Sequence, residues 1–507
     1  MKNKMKRYTS RFAAISSLCI GLALLNSCEK GLDYVSYGDL NNVVKTPEGI
    51  GAAVNAAYTG LAGGDGWQAG WGSAAYAWRV QSFVSTDEGL CIWGDGGNWE
   101  RMATLNFTPD FDWITNHYTR YLPYISRITI TLNDLESISM DENLKKRYIG
   151  ELKALRANYA MMLYFAYGPL TIITDAKIAS NPYPDPVARP TSAQMVKQIE
   201  DDYLAAAAVL PDKWTGGDYG RFSKAAALTG LMKLYMHEKQ WDRAAAAGNQ
   251  IKGMGYSLQP NYQDLFNINN KGGASSEIIL PIVCTATGGD QYTNMWLAHA
   301  LPADYKDPSG IPLSAWGGYK MRWTAYDKFD KSDKRLAVIL EKYPTGKDAN
   351  GNIIYKDARA KGDPGAVPMK FAPDPSKINS QNSSVDYPVY RYADVLLMLA
   401  ESINEDKGGP TDEAYTAINL VRKRAGLPDL PAGLNKAQFL EKVQDERLFE
   451  LWAEGWRRDD LIRWGLYVKR AIDQGSTVAK PEFVLYPLPR AAITQSNGVI
   501  KQNPGYN

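Results

Sequence analysis

The sequence predicts a mainly helical protein, a scaffold of helix pairs interrupted by loop-rich, aromatic-rich inserts with short β-hairpins. Three observations predict it. Long stretches in the first and last thirds carry apolar residues at helical spacing. Several come in pairs joined by short turns. Between them, Gly63 to Trp99 and Gly272 to Pro375 are rich in Gly, Pro, Asp and aromatic residues and lack helical period.

At the amino terminus, Lys2, Lys4, Lys6, Arg7 and Arg11 precede an uncharged run from Phe12 to Leu25, the layout of a signal peptide. That run is shorter than the roughly 18 residues of a spanning helix. It ends at Leu25-Asn26-Ser27-Cys28, which reads as a lipobox: cleavage before Cys28 frees a residue that carries acyl chains. Residues 1 to 27 are therefore expected to be removed, leaving a single domain over 28 to 507 on a membrane tether. Of 57 basic residues five lie in the leader, so 52 face 55 acids and the mature net charge is near −3. Nothing in that balance points to nucleic acid. Cys19 leaves with the leader, and whether Cys91 and Cys284 pair stays open; their spacing is not that of a metal site.

The scaffold is expected over about 45 to 62, 110 to 255 and 386 to 475. Its helices fall near 47 to 61, 111 to 136, 151 to 168, 191 to 209, 223 to 238, 241 to 252, 388 to 406, 411 to 425 and 436 to 474. Within Glu151 to Gly168, Leu152, Leu155, Tyr159, Met162, Leu163 and Ala166 form one apolar stripe, and Gly168-Pro169 ends the helix. Phe222 to Glu238 followed by Trp241-Asp242-Arg243-Ala244-Ala245 looks like one tetratricopeptide-type unit, although no clean repeat period is detectable. Asn350-Gly351 signals a hairpin turn. Asp348 to Asn352 is read as that turn and not as a calcium loop, because its glycine is displaced from the EF-hand pattern.

Three blocks near the carboxy terminus are distinctive: Tyr390-Arg391-Tyr392-Ala393-Asp394 through Glu401; Glu446-Arg447 through Glu450, Glu454-Gly455 and Arg457 to Asp460; and Tyr486-Pro487-Leu488-Pro489 with Asn503-Pro504-Gly505-Tyr506. Together with Gly150 to Ala157, Tyr167-Gly168-Pro169-Leu170 and Ser85-Thr86-Asp87-Glu88, they resemble the SusD/RagB family of nutrient-binding outer-membrane lipoproteins of Bacteroidota. Trp456 and Asp459 depart from residues common in that family. The resemblance implies a tetratricopeptide-like scaffold and a ligand site in the inserts. It also implies a partner, a SusC-like TonB-dependent outer-membrane transporter, and a glycan or, in some relatives, a peptide as ligand.

The residues carry their own argument. Sugars present an apolar C–H face and a rim of hydroxyls, so their sites combine flat aromatic rings with short polar groups. Trp93, Asp95, Asn98, Trp99 and Arg101 supply that mixture, as do Asp290, Gln291, Tyr292, Asn294 and Trp296, and again Trp316, Tyr319, Arg322 and Trp323. The inserts at about 63 to 109 and 272 to 385 are thus expected to hold the ligand. Trp67 and Trp71 are candidates for the site or for the transporter contact. Trp113, Trp241, Trp452 and Trp464 fall in helices and are assigned to the core.

Catalysis finds little support. Glu446, Glu450 and Glu454 repeat at i, i+4, with neighbouring carboxylates about 6 Å apart on one helix face. Glu454 has Arg457 and Arg458 at i+3 and i+4, and Asp459 and Asp460 both reach Arg463, so these acids are expected to stay ionised in an ion-pair network, where a general acid needs a raised pKa. His117, His237 and His299 sit in no metal motif, and neither a nucleophile elbow nor a P-loop occurs. No catalytic residue, metal or cofactor is expected. Two alternatives remain: a lipid-anchored glycan hydrolase drawing its carboxylates from Asp87, Glu88 and Asp95, and a scaffold whose helical grooves hold a peptide.

Overall fold

The computed structural model describes residues 45 to 62, 74 to 181, 185 to 287 and 292 to 506; the leader, Cys28, Trp67, Trp71, Asp290 and Gln291 lie outside them. The chain divides at Ala52, and of the amino-terminal unit only the start of a helix is described, where Thr46 Oγ1 accepts a hydrogen bond from Gly49 N. The unit Ala53–Asn507 carries everything that follows.

In chain order its main helices and strands are α1 (Pro47–Ala62, shared with the first unit), α2 (Ala74–Val84), β1 (Gly89–Cys91), α3 (Asn98–Ala103), α4 (Asp112–Ser137), α5 (Glu142–Tyr167), α6 (Ser192–Val209), α7 (Lys224–His237), α8 (Trp241–Lys252) and β2 (Ile278–Ile282). There follow α9 (Trp296–Ala300), β3 (Tyr319–Arg322), β4 (Ile339–Leu340), β5 (Lys342–Lys347), β6 (Ile353–Asp357), β7 (Gly365–Pro368) and β8 (Tyr387–Arg391). The chain returns to helices with α10 (Tyr392–Lys407), α11 (Asp412–Arg424), α12 (Lys436–Leu451), α13 (Arg457–Arg463) and α14 (Tyr467–Asp473).

The scaffold is tetratricopeptide-like: α4 packs on α5, α5 on α6, α6 on α7, α7 on α8, α8 on α10 and α10 on α11, so successive helix hairpins bury one another's apolar faces. Close approach is written in small residues. A side chain at Gly230 of α7 would overlap the Tyr203 ring of α6, and one at Gly248 of α8 would meet Met232 and Leu399. Starts are fixed locally as well, with capping boxes at Thr191 and Gln194 for α6 and at Asn435 and Gln438 for α12.

The inserts contain more regular structure than their composition suggests. The stretch Gly63 to Trp99 includes α2 and β1, and β1 joins three strands of the second insert in a four-stranded antiparallel sheet in the order β1, β3, β7, β4. The Asn350-Gly351 turn joins β5 to β6, and Asp348 Oδ1 accepts from the backbone N–H groups of Asn350 and Asn352, closing the turn. Strand β8 occupies the start of the helix expected from residue 388.

The helix expected over 436 to 474 is three helices. Ala453 and Gly455 adopt positive φ (56° and 92°), which turns the chain between α12 and α13. Glu454 therefore leaves the face shared by Glu446 and Glu450. Instead of Arg457 and Arg458, it binds Arg391 Nε (2.7 Å) and Lys370 Nζ (2.6 Å). Arg391 also reaches Glu277 (2.8 Å) and Glu450, while Arg335 binds Asp333, Glu446 and Glu450, all of it buried. Burial would raise the Glu450 carboxyl, but Arg424, Arg391 and Arg335 overcome it and hold the acid ionised.

Asp459 departs from the expectation. Arg463 pairs with Asp460 (2.9 Å) and with Glu401; among the described residues Asp459 is left buried with Arg458 at 3.7 Å as its one ion-pair partner, and burial pushes its pKa up to about 7. Trp452 is fully buried at the turn after α12; Trp113, Trp241 and Trp464 are half-buried. Among the described residues, no helix is long and apolar enough to cross a membrane.

Candidate functional site

The two inserts meet along the pairing of β1 with β3, where Cys91 stands opposite Tyr319. The pairing continues past the strand ends: Ile92 N donates to Gly318 O (2.9 Å), Gly318 N to His299 O (2.7 Å) and Trp316 N to Ala298 O (2.8 Å). These bonds align the loop after β1, the loop before β3 and helix α9. Their aromatic side chains consequently converge from three separate stretches of sequence.

Trp93 is central. Its ring centroid lies 6.1 Å from that of Trp99, 6.2 Å from Trp316, 5.6 Å from Tyr319 and 5.1 Å from His299. Its indole N–H donates to Trp316 O (3.1 Å), and its six-membered ring lies directly over Gly318, where a Cβ would come within 2.3 Å of Trp93 Cε2. Trp93 is half-buried, whereas Trp316 is 51% exposed. The two rings are inclined at 52°, so they form a bent apolar surface and not a flat stack.

Polar groups follow Trp93 in the same loop. Asp95 is exposed and half-buried Asn98 opens α3. Asp95 Oδ2 accepts the Trp99 indole N–H (2.6 Å), which holds the Asp95 to Gly97 turn against the first residues of α3. Ile92, between β1 and Trp93, is also exposed.

Other residues expected to contact ligand are placed differently. Trp99 (3% exposed), Trp296 (0%) and Tyr319 (0%) lie beneath the surface and support it without presenting a face. Their rings fill the space behind Trp93: Trp296 packs at 5.0 Å from Tyr319, and its indole N–H donates to Pro368 O. Asn294 is buried too. Its amide donates to Val385 O (3.0 Å) and its oxygen accepts from Trp296 N, so its hydrogen-bonding capacity goes to shaping the turn into α9.

Three further residues fall outside this cluster. Trp323, one residue past β3, is covered by the Arg359 guanidinium at 3.9 Å, and its indole N–H donates to Asp363 O. It packs on the core of Leu297, Leu301 and Tyr343. Arg101 stacks on Phe111 (4.1 Å) and donates to Thr108 Oγ1. Tyr292 lines a separate groove of about 280 Å³ with Tyr58, Tyr219 and Arg221. Sequence reasoning missed Gly318, His299 and Ile92. A Gly-Gly pair before an aromatic strand was the only signal for the first, and a histidine three residues after Trp296 for the second.

The carboxylates of the hydrolase alternative stand in three different settings. Burial would raise Asp87, but both its oxygens accept from Arg457 (2.7 and 2.9 Å), and it stays below the ordinary carboxylate range. Glu88 is buried beneath the sheet, where Oε2 accepts from Ala453 N (3.3 Å) and burial pushes its pKa up to about 8. Asp95 stands in solvent on the far side of β1, spending one oxygen on Trp99. Among the described residues, no cluster of three His, Cys, Asp or Glu side chains could hold a metal, and Cys91 and Cys284 are both free thiols.

Comparison with known proteins agrees with this architecture. Residues 237–475 match the model of the SusD family, and residues 67–236 match a second model described as starch-binding, associating with the outer membrane. A SusD-like protein of Formosa agariphila is 29% identical over 62% of this chain; the chain spans 63% of that relative's length. The starch-binding protein SusD of Bacteroides thetaiotaomicron is 24% identical, over 83% of this chain and 84% of its own. A solved laminarin binding SusD-like protein superposes with a TM-score of 0.74 at 24% identity, covering 91% of this chain and all of that one. Matched along successive blocks in both halves and across the helical scaffold, the chain belongs to the SusD family.

Proposed function

We propose that this protein is a lipid-anchored, surface-facing outer-membrane receptor. It binds an oligosaccharide without chemical change and passes it to a SusC-like TonB-dependent transporter. The observation that carries the reading is the meeting of Trp93 and Trp316, 223 residues apart in sequence, as inclined rings, with Asp95 and Asn98 close behind Trp93 in the same loop. Such rings receive the C–H faces of successive sugars, and the amide and carboxylate bond their hydroxyls. Each contact contributes on the order of 1 kcal/mol net, so the affinity is modest. The names of two relatives, one starch-binding and one laminarin binding, support a glucan-like ligand. Cys28 supplies the anchor, and the Arg457 grip on both oxygens of Asp87 together with the burial of Glu88 supports binding over turnover.

The test uses the soluble body lacking residues 1 to 28, screened by affinity electrophoresis and calorimetry against a panel of soluble glycans. At least one glycan is expected to bind, Trp316→Ala to lower its affinity at least tenfold at unchanged melting temperature, and no new reducing ends to appear. Unchanged binding by Trp316→Ala would remove the site. Release of reducing ends, abolished by Glu88→Gln, would replace the receptor with a hydrolase.

A further inference from the structure

Beneath the exposed tryptophans lies a side chain that the binding reading does not use. His299 is on α9, 2% exposed, and its ring makes aromatic contacts with three others: Trp93 at 5.1 Å (75° between planes), Trp316 at 5.0 Å (33°) and Tyr319 at 5.8 Å (74°). Its backbone carbonyl accepts from Gly318 N, and the Gln381 side chain hydrogen-bonds its imidazole. Four chain segments therefore meet on one residue: the loop after β1, the loop into β3, α9 and the segment before β8.

We propose that His299 is a positioning residue of the platform, a buried aromatic wedge that sets the distance and inclination of Trp93 and Trp316. This rests on the glycan-binding reading for its purpose but not for its geometry. Trp316 is half in solvent, and the His299 ring at 5.0 Å backs it beside the Trp93 ring at 6.2 Å, so removing the imidazole takes away the nearer of these two rings that fix its tilt. An aliphatic residue would fill part of the volume yet present no edge to Trp93 and no face to Trp316. The imidazole also remains an uncharged ring in use, because burial holds its pKa down to about 4, and none of the four side chains packed on it is charged.

Two variants test this in the soluble body, read by near-ultraviolet circular dichroism without ligand and by calorimetry with a bound glycan. His299→Leu is expected to alter the indole bands and weaken glycan binding at least tenfold per folded molecule. His299→Phe, which restores a ring of similar size, is expected to recover the bands and bind within threefold of the parent. A purely structural contribution would lower the melting temperature and leave the affinity of the folded fraction unchanged. A folded Leu variant with parental spectrum and affinity overturns the proposal. So does a Phe variant that matches the Leu variant in both readouts. Should Leu fail to fold, the Phe variant decides it by the same two readouts. If no glycan binds the parent, the binding reading fails alone, since the ligand-free spectra still report on the wedge.

Discussion

Gly318→Ala is the sharpest perturbation the site offers, because it adds one methyl group and removes nothing. The three atoms nearest the new Cβ all belong to the Trp93 indole, the closest at 2.3 Å. Carbon atoms in contact sit roughly 3.5 to 4.0 Å apart, so the shortfall is about 1.2 Å or more. The backbone cannot retreat, since Gly318 N is bonded to His299 O at 2.7 Å and Gly318 O to Ile92 N at 2.9 Å. The indole must move instead. A displacement of that size lengthens the 3.1 Å bond from Trp93 to Trp316 O beyond hydrogen-bonding range and changes the angle between the two platforms. Overpacking of this kind costs about 1 to 3 kcal/mol of stability. Loss of one well-placed stacking surface, about 1.4 kcal/mol, lowers glycan affinity tenfold. Calorimetric titration and thermal melting of Gly318→Ala, Trp93→Ala and the double variant form a cycle. In the Trp93→Ala background the added methyl group should be nearly silent in both assays. If Gly318→Ala binds glycan like the parent, or costs as much stability without Trp93 as with it, the account of the platform is wrong.

Three more outcomes follow from the surrounding structure. Trp296→Ala should cost about 3 to 5 kcal/mol in urea unfolding, because a fully buried indole bonded to Pro368 O is deleted, and affinity should fall only in proportion to the unfolded fraction. Arg391→Met should destabilise by about 3 to 5 kcal/mol in the same assay by leaving Glu277, Glu450 and Glu454 short of a buried cation, and a variant as stable as the parent would remove the structural weight given to the network. Glu88→Gln should change the pH dependence. The native carboxyl ionises near pH 8 and the unfolded one near 4.5, so between those values the native state holds the extra proton and stability falls as pH rises. Gln removes that slope, and melts at pH 5 and pH 8 should show the variant gaining on the parent at the higher pH by up to about 3 to 5 kcal/mol.

How much of this was legible in the sequence differs by element. Helices with long periodic stripes, such as Glu142–Tyr167 and Trp241–Lys252, announce themselves because burial on one face imposes the spacing. The break after Leu451 does not. Ala453 is a good helix former, and its positive φ is set by contacts from elsewhere, including Glu88 on its N–H, 365 residues away. An i, i+4 ladder through Glu454 consequently looks continuous in sequence and is interrupted in space. The site shows the same limit. Aromatic density located the inserts, but which indole faces solvent depends on strand pairing: Trp316 precedes β3 and turns outward, Tyr319 begins it and turns in, and Trp323 follows it into another core. Composition names the ring types that meet and leaves their sides to the register.

The bidentate grip of Arg457 on Asp87 spans 370 residues, and Arg391 holds an acid 114 positions before it and another 63 after. A partly synthesised or truncated chain would thus carry carboxylates and guanidinium groups with their counterparts still missing, in a region too dry to leave them bare. Such a chain has no stable resting point short of completion, and a carboxy-terminal deletion should be degraded rather than delivered. The same closure ties the segment leading into β1 to the last third of the molecule, so the loop that carries Trp93 is anchored only once that third is in place.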